Sequence, residues 1–356
     1  MPPNHDLGSV AERAHTFWRV ATTRAPIAQS PKQAIWTLGN ATLYRYDPVL
    51  PPEQRHPVPL LLVFAIMNRP SIFDLRPGHS FVEYMLGRGY DVYLLDWGVP
   101  GPEDRNLTLD DYALDYLPRA VRKLRSVTGS DEFSLLGWCI GAILTTLYAA
   151  LRPEDGLRNL ILLTAPLDFS DAEAVTFVRW LDQDHLNLER LIDRDGNVSG
   201  ELLDIGMKML RPVQNYLGNY MRVWENMNDP HTVVSWHAMH TWVNDLAPMS
   251  GAALRQLVTQ FFRENRLAKG TLIVSGETVR LDRVRANLLN VIAQADHITP
   301  PAQSEHIMAQ FGSADKQLLK IPGGHIGAMA GSGARKHTWP AIDDWLAARS
   351  KTSKEE

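Results

Sequence analysis

The chain has 356 residues, 45% of them apolar and 21% charged, with a formal net charge of −4, enough for one large α/β domain with an insertion or for two ordinary domains. These shares exclude a disordered or fibrous chain, and the balanced charge gives no electrostatic reason to expect nucleic acid as a partner. A single cysteine excludes an intramolecular disulfide, so the core alone must hold the fold, as in a reducing cytosol.

Taken in chain order, residues Met1 to Val20 carry Asp6, Glu12 and Arg13 and no apolar stretch followed by small residues, so they do not read as a signal peptide. Short apolar runs then alternate with helical patterns. Strands are predicted at Leu60–Ile66, Asp91–Leu95, Glu132–Leu136, Leu160–Thr164, Leu288–Ala293 and Lys316–Ile321. Helices are predicted at Ser80–Arg88, Leu109–Val127, Ala142–Leu151 and Thr338–Ala348, the last with Trp339, Ile342, Trp345 and Leu346 on one face. Thr108 followed by Asp111 reads as a capping box for the second helix, and Pro118 predicts a kink or break inside it. The alternation implies a mostly parallel sheet with helices on both faces. The apolar stretches Val58–Met67 and Leu135–Leu151 are not membrane spans, because about 20 predominantly apolar residues are needed and the second is broken by Gly137, Gly141, Thr145 and Thr146. Between about 170 and 270 the rhythm becomes helical and rich in Met and Trp, including Trp180, Trp224, Trp236 and Trp242. This reads as an insertion covering a site, or as a plain helical subdomain, since such spacing shows burial rather than motion.

Gly137-Trp138-Cys139-Ile140-Gly141 falls directly between a predicted strand and a predicted helix. Gly-x-nucleophile-x-Gly at such a junction is the nucleophile elbow of the α/β-hydrolase fold, here with cysteine in place of serine. The glycines let strand and helix approach closely, and the helix N-terminus favours negative charge on the sulfur. The Ile140 N–H would face an oxyanion on an attacked carbonyl, with Met67, in the loop after Leu60–Ile66, as the best candidate for the second backbone donor. A buried, inert cysteine is the alternative.

The fold's order of nucleophile, acid, histidine is met downstream. Asp296 follows the Leu288–Ala293 run, and His325 sits in the glycine-flanked loop Pro322–Gly327 after Lys316–Ile321. His325 would act as base toward Cys139, and Asp296 would fix its tautomer. His297 competes as base and Asp168 as acid, while His231, His237 and His240 lie in the insertion without completing a metal site. No metal and no cofactor is expected.

These segments, together with Met67–Pro70, Asp74-Leu75, Asp91–Gly98, Leu107–Tyr112 and Asp296–Ile298 with Pro300-Pro301, resemble the polyhydroxyalkanoate synthases, most closely the short class III catalytic subunits. One departure is Ala142, where the family usually has a second glycine after the elbow. The resemblance implies an acyltransferase that polymerises (R)-3-hydroxyacyl-coenzyme A thioesters into polyester and releases coenzyme A, with Cys139, Asp296 and His325 in the catalytic positions. It also implies a second synthase subunit, a homodimer, and a cytoplasmic location at the polyester granule surface. A cysteine-dependent thioesterase or polyester hydrolase, or a non-catalytic granule-associated protein, are the alternatives. The expected division is an N-terminal helical or irregular segment at 1–43, a core of 44–169 and 271–349, a cap at 170–270 and a polar tail at 350–356.

Overall fold

The computed structural model describes residues 7–171, 187–210 and 218–351. Trp180 of the expected cap and residues 352–356 of the expected tail lie outside the described residues. Eight strands form one sheet: β1 (Lys32–Leu38), β2 (Ala41–Tyr46), β3 (Leu60–Val63), β4 (Val92–Asp96), β5 (Phe133–Trp138), β6 (Leu157–Leu163), β7 (Asn287–Ala293) and β8 (Lys316–Ile321). Their spatial order is β1-β2-β4-β3-β5-β6-β7-β8. From β4 to β8 every pair is parallel, whereas β1–β2 and β2–β4 are antiparallel. The inner strands β3, β5 and β6 are apolar and almost wholly buried, as strands covered on both faces must be. The edge strand β8 instead exposes Lys316, Gln317 and Lys320, which blunts an edge otherwise open to pairing.

The principal described helices include those that the sequence pattern predicts. They are α1 (Leu7–Thr22), α2 (Phe81–Gly87), α3 (Leu117–Thr128), α4 (Ile140–Leu151), α5 (Gly200–Lys208), α6 (Asn219–Glu225), α7 (Pro230–Val243) and α8 (Thr338–Ala347). The capping box forms as expected: Asp111 N donates to Thr108 Oγ1 at 3.3 Å and Thr108 N to Asp111 Oδ2 at 2.7 Å. Pro118 does not break the helix. A π-turn over Tyr112–Tyr116 precedes it, so Pro118, which has no N–H to offer, stands in the first turn of α3. Every residue of α4 is buried, Thr145 and Thr146 included, which is why its composition imitates a membrane span. No described helix is long and apolar enough to cross a membrane.

Three boundaries differ from expectation. Of the segment 1–43, the described residues form α1 and then β1, which with Ala41–Tyr46 makes a hairpin that carries the sheet back to residue 32. The Gly39-Asn40 turn, with Gly39 at φ 53°, carried that signal, but the half-exposed alternation of an antiparallel edge is weaker than an apolar run. Ser350 does not belong to a loose tail: it is buried, and its Oγ donates to Leu346 O at 2.7 Å, closing the last turn of α8. Within 170–270 one short strand pair, Asn197–Val198 with Met249–Ser250, accompanies the helices.

The hairpin is locked to the site's side of the sheet by Gly98, just beyond β4. Gly98 has φ +77°, and a Cβ there would fall onto the Asn40 carbonyl in the β1–β2 turn. Gly98→Ala should therefore destabilise the fold by about 2–4 kcal/mol through backbone strain plus overpacking. A wild-type urea midpoint for that variant would refute this account of the contact.

Candidate active site

The sheet reverses its winding between β3 and β5: β4 lies to one side of β3 and β5 to the other. Open α/β sheets hold ligands at the carboxyl ends of strands beside such a reversal. Here the loop after β3, which carries Met67, meets the turn after β5, which carries Cys139. Their closeness is set by glycine. A Cβ on Gly141 would collide with the backbone of Val63 and Phe64, and one on Gly137 with the first turn of α4 at Gly141 and Ala142.

Cys139 caps α4 with φ 59° and ψ −125°, a conformation costly for a residue with a side chain. It is held there because its N–H donates to Leu163 O at 3.1 Å on β6, while its own carbonyl accepts from Ala142 N at 2.9 Å. Cys139 is a free cysteine, half-buried against the core. Ala142 is fully buried and continues the helix, so the departure from glycine is absorbed without disturbing the turn. As the first residue of α4, Ile140 has an N–H with no intrahelical acceptor, as an oxyanion donor requires. Met67 sits in the turn after β3, partly buried against the core.

Asp296 and His325 arrive from the ends of β7 and β8 and meet in the interior. His325 Nδ1 donates to Asp296 Oδ2 at 2.8 Å, and both residues are buried. The loop after β7 saturates the carboxylate: Oδ1 accepts the N–H groups of Ile298 and Thr299 at 2.8 and 2.9 Å. Thr299 Oγ1 adds a 2.8 Å hydrogen bond to Oδ2 and lies 3.0 Å from His325 Nδ1. Burial disfavours charge on His325, yet the Asp296 carboxylate and then the Cys139 side chain outweigh it and push its pKa up to about 10. Burial likewise opposes ionisation of Asp296, and the charge of His325 with its hydrogen bonds holds that carboxyl below its ordinary range. With Nδ1–H committed to the carboxylate, Nε2 is the ring nitrogen free to exchange a proton with a reacting group. The imidazole also lies beside the buried Trp138 ring, centroids 6.2 Å apart.

The competing residues do other work. His325 is the histidine seen to engage Asp296 through Nδ1. Asp168 accepts from Asn265 Nδ2 at 2.8 Å and Ser170 N at 2.9 Å, as a loop-holding carboxylate does. His237 and His240 donate to Thr23 O and Ala21 O, at 2.9 and 3.2 Å, tying α7 to the end of α1, and His231 is exposed. Among the described residues no group of three or more His, Cys, Asp or Glu side chains could hold a metal ion.

Sequence reasoning missed Thr299, whose only trace was a hydroxyl three residues beyond the acid. It also left Arg69, Asp96 and Trp242 without roles. Arg69 donates to Asp96 Oδ2 at 3.1 Å and Gly98 O at 2.9 Å, and Arg69 O accepts from Trp242 Nε1 of α7 at 2.8 Å. The loop carrying Met67 is thereby fixed to both β4 and the helical insertion.

Fold and site together define an α/β-hydrolase-fold protein with a cysteine at the nucleophile position. The family model described as alpha/beta hydrolase fold matches residues 76–331. Solved structures share this fold: a thermostable carboxyl esterase from Bacillus coagulans (TM-score 0.57, 14% identity, covering 90% of this chain and 99% of that one) and an esterase from Thermogutta terrifontis (TM-score 0.52, 18% identity, 91% and 100%). Two much closer relatives are each named poly(3-hydroxyalkanoate) polymerase subunit PhaC. That of Allochromatium vinosum is 36% identical over 89% of this chain and 88% of its own length. That of Haloferax mediterranei is 34% identical over 98% and 69%. The chain belongs to the poly(3-hydroxyalkanoate) polymerase family, and with it to the acyltransferases.

The raised His325 pKa fixes the sign of a pH effect. A group more basic in the folded than in the unfolded state contributes stability in full below its ordinary value of 6.5, and loses it as pH climbs toward about 10. His325→Gln should flatten the alkaline fall in urea stability across that window relative to wild type. Parallel curves for the two proteins would remove the charged pair from the folded state.

Proposed function

We propose that the chain polymerises (R)-3-hydroxyacyl-coenzyme A thioesters into polyhydroxyalkanoate, releasing coenzyme A, by way of a thioester on Cys139. The observation that carries this reading is the convergence of Cys139, His325 and Asp296 at the carboxyl edge of the sheet, in a chain whose relatives are named as polymerases.

The residues divide the reaction as follows. With the proton resting on His325 Nε2, as its raised pKa favours, the Cys139 sulfur attacks the donor's thioester carbonyl as a thiolate. The tetrahedral oxyanion forms against the N–H groups of Ile140 and Met67. Collapse expels the coenzyme A sulfur, which takes the proton from His325 and leaves the acyl group on Cys139. His325, neutral again, next accepts the proton of a hydroxyl on a 3-hydroxyacyl unit. That oxygen attacks the Cys139 thioester, an ester forms, and the proton goes to the departing Cys139 sulfur. Asp296 holds the ring and its tautomer throughout.

Cysteine suits this sequence because transfer between two thioesters retains acyl activation, whereas an oxygen ester on serine would lie lower and favour hydrolysis. Water has to be excluded for ester formation to compete, which is the work assigned to the cap at 170–270. Coenzyme A is part of the substrate, and the scheme uses no metal or other cofactor. A second synthase subunit, a homodimer and residence at the granule surface in the cytoplasm complete the proposal.

Incubation with (R)-3-hydroxybutyryl-coenzyme A, with and without a candidate partner subunit, should release coenzyme A in step with insoluble polymer. Cys139→Ala should abolish both, a loss of at least about 10³-fold, and Asp296→Asn should cost about 10²–10⁴-fold. Because the chain has one cysteine, an acyl mass on Cys139 reads the intermediate directly. Undiminished polymer from Cys139→Ala ends the proposal, and coenzyme A release with no polymer at all would make the chain a thioesterase.

A further inference from the structure

A group of cationic side chains lies at the seam of three segments, each tied to the site but none used by the proposed triad. Arg76 follows the short turn Pro70–Asp74 beyond the Met67 loop. Its guanidinium donates from NH2 to Ser235 Oγ of α7 at 2.9 Å and from NH1 to Pro77 O at 3.5 Å, and its Nε is sealed from solvent without a partner. Arg335 comes from the loop between the single helical turn Gly327–Ala330, which follows His325, and α8, and it donates to Gly78 O at 2.9 Å. Between them His79 donates to Ala330 O at 2.9 Å and packs on Trp339 with centroids 5.3 Å apart. Arg76 and Arg335 thus donate to the carbonyls of adjacent residues, Pro77 and Gly78; burial first, and then the charges of both, hold His79 below the ordinary imidazole range.

Among the described residues no carboxylate is in ion-pair contact with Arg76 or Arg335. Arg69 and Arg45, by contrast, have Asp96 and Asp91. Glu83, on neighbouring α2, is turned to the Gly78 N–H at 2.8 Å. Two like charges brought together and left uncompensated, one of them partly buried, destabilise a fold unless an anion accompanies them. Guanidinium is the side-chain cation best matched to phosphate. Ala330, whose carbonyl His79 contacts, lies five residues from His325, so chain reach alone keeps the Cα atoms of those two residues within roughly 18 Å.

We propose that Arg76 and Arg335 bind the phosphate groups of the coenzyme A portion of the acyl donor. This rests on the reading of the chain as an enzyme acting on coenzyme A thioesters. The phosphates hang at the far end of a long flexible arm from the reacting sulfur, so their site belongs at the rim of the active site, where core loop, His325 loop and cap helix meet. Ser235 orients Arg76 from the cap side, and the donor's charge fills the gap between the guanidinia.

The test compares two donors with the same acyl group, one on coenzyme A and one on N-acetylcysteamine, which has no phosphate. Arg76→Gln with Arg335→Gln should raise KM for the coenzyme A thioester about 10–100-fold with little change in kcat, and leave the N-acetylcysteamine thioester untouched. Arg76→Lys should restore part of the loss. Equal losses on both donors, or no loss on either, overturn the proposal. Arg335 is exposed, so Arg335→Gln alone serves if the Arg76 change does not fold. Calorimetric titration with coenzyme A and with inorganic phosphate reads the site without turnover. Coenzyme A binding that the double variant loses supports the site even if wild type forms no polymer, a result that would end the polymerase reading instead. Equal coenzyme A binding by wild type and variant, or inorganic phosphate bound as tightly as coenzyme A, overturns it.

Discussion

At the junction of β5 and α4 the backbone passes so close to the end of β3 that no side chain fits at residue 141, and so close to α4 itself that none fits at residue 137. That approach is the constraint from which the site follows. It goes with the positive φ of Cys139 at the start of α4, a helix whose residues are all buried, and it brings the first turn of α4 alongside the end of β3 and the loop after it. The strain is tolerable because both sides of the turn are anchored, to Leu163 on β6 and to the first turn of α4.

Around this fixed sulfur the remaining groups are held by hydrogen bonds rather than by packing alone. Asp296 is surrounded by donors from its own loop, which makes its charge affordable in the interior, and that charge in turn keeps His325 protonated well beyond its ordinary range. A carboxylate so satisfied has little freedom to turn, and the imidazole inherits its orientation. Thr299 serves both, reaching Asp296 and approaching the ring.

The helical insertion is connected to the same machinery. Trp242 reaches from α7 to the Arg69 carbonyl, and Arg69 is clamped to Asp96 and Gly98, so the loop bearing Met67 is shared between core and insertion. On its outer side α7 is strapped to the end of α1 through His237, His240 and Thr241. A shift of α7 would therefore be felt at the Met67 loop and at the N-terminal helix together.

Much of this was legible in the residues. The apolar runs located the parallel strands to within a few residues, most firmly the inner ones, since strands buried on both faces have no alternative composition. The elbow spacing located Cys139, because only glycine permits so close a crossing. The order of Asp296 and His325 after strand ends named the partners, and the segments shared with one family named the chemistry. What the residues could not express was contact between segments distant along the chain. The antiparallel hairpin at 32–46, half exposed, had only a weak alternation to announce it. The work of Thr299, the Arg69–Asp96 clamp and the unmatched pair Arg76 and Arg335 depends on side chains that become neighbours only when loops from separate strand ends fold over one edge of the sheet. Sequence fixes local geometry and burial through periodicity and steric size, whereas hydrogen bonds and charge balance across such loops exist only in the tertiary structure.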